Sequence, residues 1–240
     1  MKFMLGAGLG LLFLATSGAA LAHGISAGSD ADVDPAFDVT SASATTDGRL
    51  ATFAMEVSGL AGSVVPEATG QLQGAKVAAY VWPTQLDPAA VGFAAGSGIL
   101  ALAITAHPDF DDTPLFDENG DGDPANDGAG WHSPWAALGE EAACGAGLKA
   151  RDVSPGQDIL PPTAPGLPLA LDSPGMSPLL AGNTVRITVP VANGADVAFD
   201  AVTAELQVHP EGATPLLCVT GVHKIASGDL SFPGRIELQQ

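Results

Sequence analysis

The chain has 240 residues and carries 27 acidic against 8 basic side chains, a formal charge of −19 at pH 7. A surface of that sign repels phosphate backbones and anionic lipid, which argues against nucleic acid and membrane surfaces as partners. Its 30 glycines and 19 prolines suit many short strands joined by turns.

Met1-Lys2 is a short basic start, and Phe3 to Ala15 is apolar but too short to span a bilayer. Ala20-Leu21-Ala22 then has the small-x-small pattern of a cleavage site, so residues 1–22 read as a signal peptide cut after Ala22. The expected destination of residues 23–240 is the periplasm or the extracellular space. No later segment is long and apolar enough to cross a membrane, and no cysteine stands at the cut to carry a lipid.

Period-two alternation predicts strands at Ala51 to Val57, Val77 to Trp82, Val185 to Val189 and Val202 to Val208. Ile99 to Ile104 is apolar throughout, as in a strand buried on both faces. Pro134 to Cys144 is the one stretch with a helical pattern. Six prolines between Ser154 and Pro178 forbid a regular ladder, while Leu160, Leu167, Leu169 and Leu171 give that stretch an apolar side, so it reads as an extended cover. Asn193-Gly194 has the positive-φ tolerance of a tight hairpin turn. The expected architecture is all-β: one antiparallel β-sandwich domain over residues 23–240, Greek-key or Ig-like, with long irregular loops. An acidic insertion covers about 106–135 and the proline-rich loop about 154–178.

Cys144 and Cys218 are the only cysteines, and in an oxidising compartment they are expected to pair. Two buried thiols are the alternative.

Within the acidic insertion, Asp117, Asn119, Asp121 and Asp123 stand at positions 1, 3, 5 and 7 around Gly122 at position 6. Alternate oxygen-bearing side chains fold inward around a hard cation while the glycine allows the sharp turn. The run resembles the calcium loops of EF-hands, dockerins and thrombospondin type 3 repeats, which implies Ca2+ as the ion. Position 12 is Gly128 where an EF-hand has a bidentate glutamate. Asp127, Asn126, Asp111 or Asp112 would supply the missing oxygen. The competing reading is a solvated acidic turn.

Cutting after Ala22 would make His23 the N-terminal residue, with an α-amino group and an imidazole that together chelate Cu2+. His23-Gly24 resembles the start of lytic polysaccharide monooxygenases and of some periplasmic copper carriers, which implies a second imidazole as partner. His107 and His132 bracket the acidic insertion and are the leading candidates. His209 and His223 read as structural or solvated. Trp131 and Trp135 sit in the run Trp131-His132-Ser133-Pro134-Trp135, where tryptophans either anchor a core or contact a ligand.

The function expected on these grounds is a non-catalytic binding or structural module with a calcium-stabilised loop and a carbohydrate or protein as ligand. The alternative is a copper carrier or copper oxidative enzyme using His23. A hydrolase working through Asp109, Asp111 and Asp112 is a third reading.

Overall fold

The computed structural model describes residues 23–112, 117, 121–123, 127–164, 166–192 and 194–239. The 1–22 segment expected to be a signal peptide lies outside the described residues. So do Asn119 and Asn126 of the acidic run and Asn193 of the Asn-Gly pair.

The chain is all-β, with two short 3-10 turns, Pro88–Val91 and Asp127–Ala129, as its only helical elements among the described residues. One sheet runs β1 (Ile25–Ser26), β2 (Val39–Thr46), β3 (Leu50–Val57), β10 (Thr184–Pro190) and β9 (Leu179–Ala181). It is antiparallel except where the short β15 (Glu237–Leu238) lies parallel to β2.

The other large sheet runs β5 (Ile99–Ala106), β4 (Lys76–Pro83), β12 (Val202–Val208), β13 (Leu217–Ile225), β7 (Leu148–Ala150) and β6 (Trp135–Glu140). Pairing of β5 with β6 closes these six strands into a barrel, and β8 (Leu171–Asp172) is added outside on β6. A two-stranded ribbon of β11 (Ala198–Phe199) and β14 (Gly234–Arg235) completes the strands.

The alternation of each strand assigns its two faces. In β4 and β5 the side chains of Tyr80, Trp82, Leu100, Leu102 and Ile104 turn out of the barrel and pack on Phe53, Met55 and Ile187 of the first sheet. Val77, Ala101, Ala136, Leu138 and Leu217 turn inward. β5 is buried on both faces, which is why its sequence shows no alternation.

The seam between β7 and β13 is the narrowest, with a single aligned pair, Cys218 opposite Lys149. The Cys144–Cys218 disulfide, with Cα atoms 5.2 Å apart, lies beside this seam and ties it.

The four strands read from alternation and the one read from its unbroken apolar run are all present. Pro134 to Cys144 is not a helix: its core is β6, whose Trp135 and Ala137 join the core between the sheets while Ala136 and Leu138 face the lumen. Burial on both sides erased the alternation there and left helix-favouring alanine, leucine and glutamate to mislead.

Asn193-Gly194 does not join a hairpin either. β10 pairs with β3 and β9, and the chain then crosses to the other sheets. The two-residue turn is Gly182-Asn183 between β9 and β10, with Gly182 at φ 59°. Burial of Val185, Ile187 and Val189 against β3 fixes the partner of β10, and turn chemistry follows. The proline-rich stretch lies against the body as an extended cover, with Ala164, Leu169 and Ala170 buried and Leu160 packed on the core.

Candidate metal centre

In β5 the odd-numbered residues face the lumen, and that parity carries Thr105 and then His107 onto the inner side where the strand ends. His132 is brought opposite by an antiparallel bridge: Thr105 N donates to His132 O (2.9 Å) and His132 N donates to Thr105 O (3.1 Å). The two imidazoles meet edge to face with centroids 4.6 Å apart. Asp112 closes the group, its Oδ1 lying 2.9 Å from His132 Nε2 and 3.6 Å from His107 Nε2.

Each ring is held by its other nitrogen. His107 Nδ1 donates to Phe110 O at 2.7 Å, and His132 Nδ1 donates to Gly130 O at 3.0 Å, since a carbonyl only accepts. Phe110 also stacks on His107, with centroids 4.0 Å apart. Nδ1 anchoring to backbone oxygen is how metal-bound histidines are oriented, leaving Nε2 to point at the ion.

The site is buried, with side-chain exposures of 2% for His107, 1% for His132 and 9% for Asp112. Burial pushes the Asp112 carboxyl upward, but the hydrogen bond from His132 and the nearby charge of both histidines outweigh it and hold the acid far below the usual carboxylate range. The ligand-type atoms of the three residues lie within 4.8 Å of one another.

His107 Nε2 is buried and has no hydrogen-bond partner. A protonated His132 paired with Asp112 would satisfy those two residues and still leave His107 Nε2 orphaned. A cation between the three donors satisfies all of them. Two imidazoles and one carboxylate are a donor set for divalent zinc, iron or copper.

Gly128 explains its own identity here. A Cβ at that position would stand 1.8 Å from Phe110 O and 2.5 Å from His107 O, and His107 N donates to Gly128 O at 2.6 Å. The position where an EF-hand would carry glutamate is thus a close backbone crossing that holds His107.

The acidic run itself is exposed at Asp117, Asp121 and Asp123. Asp117 accepts the N–H groups of Asp121 (3.1 Å) and Gly122 (2.7 Å), and Asp121 accepts that of Asp123 (2.8 Å). Gly122 has φ 92°, the conformation expected of the glycine at position 6.

His23, the proposed copper chelator, is not in the buried group. It is exposed, its backbone N–H donates to Glu237 Oε1, and its carbonyl accepts Arg235 N at 3.0 Å. Trp135 is 2% exposed in the core, and the half-buried Trp131 rests on Tyr80 (5.0 Å) with its indole N–H donating to Gly62 O. Asp109 is a turn clasp: burial acts to raise its carboxyl, but hydrogen bonds from Gly70 and Thr69 prevail and lower it. His209 caps a turn through Glu211 N, and His223 stacks on Phe37 at 4.5 Å.

Asp112 is the member whose role the sequence pattern left open, among several spare carboxylates. The parity of β5 was the available signal, since it puts Thr105 and His107 on one side and marks the next turn as the mouth of that side. No helix among the described residues is long and apolar enough to cross a membrane. No family model, curated protein or solved structure matches this chain.

Proposed function

We propose that the protein is an exported metal-binding module that holds one divalent transition-metal ion through His107, Asp112 and His132. The observation that carries this reading is the buried Nε2 of His107, fixed toward Asp112 by its Nδ1 bond to Phe110 O and left without a hydrogen-bond partner. The disulfide supports an oxidising compartment, the periplasm or the extracellular space. Packing of the first sheet on one barrel wall is the sandwich-like part of the architecture.

Elemental analysis and titration with Zn2+ and Cu2+ test the reading on chain processed at residue 23. One ion per chain is expected, and His107→Ala, Asp112→Ala and His132→Ala should each weaken binding more than about 100-fold, beyond the effect typical of outer-shell changes. His23→Ala separates the copper alternative. If it alone abolishes copper binding, the N-terminal residue is the site and the buried group is not.

Calcium is a second reading, favoured by the positive φ of Gly122 and by the hydrogen bonds that Asp117 accepts from Asp121 and Gly122. It concerns a different, exposed place, and the two ions are expected to bind independently.

A further inference from the structure

The barrel is not filled. Its lumen keeps a cavity of about 160 Å3. Small residues leave the room: Ala79, Ala101, Ala103, Ala136, Ala150 and Ala204 point inward from five of the six strands. Among the described residues the only polar side chains lining it are Thr105, His107 and Asp112, and all three belong to the end where the metal centre lies.

A cavity of this size with purely apolar walls stays dry and accepts a benzene-sized guest. Water inside would find hydrogen-bond partners only at the polar end. An ion held by three protein donors keeps at least one position open. His107 and Asp112 line the cavity, so an ion they held would have the lumen beside it.

We infer that the lumen binds a small, largely apolar molecule of about one ring, seated with a single oxygen end against the metal at His107, Asp112 and His132. The seating of the oxygen end rests on the metal reading above; the apolar pocket does not. Sugars, with hydroxyls around the whole ring, are excluded by walls that offer no partner along their length.

Benzene and phenol are the probes, titrated calorimetrically into the full processed chain in zinc-loaded and metal-stripped forms. Benzene is expected to bind one per chain in both forms. Phenol is expected to bind about tenfold more tightly to the zinc-loaded form than to the stripped one. Ala204→Leu fills the lumen from β12 and should weaken both probes more than about tenfold with zinc binding retained. Ala101→Leu fills it from β5 and gives the same answer if the first variant does not fold.

No benzene binding by the wild-type chain would overturn the pocket while leaving the metal centre untouched. Binding that survives both filling variants would overturn it as well, by placing the probe elsewhere. Absence of zinc binding would overturn the metal reading, and with it the seating of the oxygen end, while benzene still reports on the lumen.

Discussion

Between β5 and β6 the chain offers metals two different collections of side chains. Asp117, Asp121 and Asp123 crowd carboxylates into seven residues on the surface, where water already solvates them. His107, Asp112 and His132 are spread over 26 residues and are gathered by strand parity, one bridge and a glycine crossing into a buried group. Density of donors along a sequence is a statement about local charge. A site is made by desolvation and fixed orientation, and those come from the sheet.

Four perturbations separate the two: three should act on one collection and spare the other, and one acts on the scaffold alone. Replacing both Cys144 and Cys218 by serine has the largest expected effect. The 74-residue separation corresponds to roughly 4 kcal/mol in the chain-entropy account, and the loss falls on the β7–β13 seam that closes the barrel. Differential scanning calorimetry should show the lowered midpoint, and zinc affinity should fall with it while calcium affinity does not.

Asp38 is a scaffold charge remote in sequence from both collections. It is buried, accepts from Ser29 Oγ (2.6 Å) and from Asp30 N, and pairs with Lys224. Burial alone would raise its carboxyl, but the bonds from Lys224 and Ser29 prevail and drive it well below the usual range. A carboxyl depressed on folding stabilises above its unfolded pKa of about 3.9, and that contribution is lost as pH falls through the lower folded value. Asp38→Asn should therefore destabilise by about 1.5–3 kcal/mol near neutrality, with the gap to wild type narrowing below about pH 4 in acid titrations followed by circular dichroism. Acid unfolding of the scaffold is thereby separated from acid release of a metal.

Gly128→Ala strikes the base of the acidic insertion but touches the buried group. Its methyl would overlap Phe110 O, so the crossing must shift, at a cost of about 1–3 kcal/mol. Zinc titration should show weakened binding and calcium titration no change. The smallest effect belongs to the loop. Calcium at ten times its dissociation constant should stabilise by about 1.4 kcal/mol, and Asp117→Ala with Asp121→Ala should remove that gain while leaving zinc binding intact.

The sequence displayed the fold unevenly, for one physical reason. Strands with one wet face, such as β3 and β10, alternate and were legible, and β5 showed its two buried faces as an unbroken apolar run; β6, also buried on both faces but alanine-rich and ending in Gly139-Glu140, was not, and its residues imitate a helix. Closure into a barrel left no mark, since period two says which residues share a face and nothing about which strands pair.

The centre was half legible in the same way. His107 and His132 stood out as imidazoles bracketing an insertion, and the structure brings them together. Asp112 was one acid among many until the turn after β5 aimed it, and His23 drew attention by chemistry that its place beside Glu237 and Arg235 does not join to the buried pair. The lumen was invisible, because alanines become a cavity only once six strands surround them.

X-ray absorption at the zinc edge reads the ligand shell of the loaded chain itself. Two imidazole nitrogens at about 2.0–2.1 Å and a carboxylate oxygen at about 2.0–2.2 Å are expected, with one imidazole fewer in His107→Ala. A shell of oxygens alone, or an imidazole count indifferent to His107, would contradict a metal held by His107, Asp112 and His132.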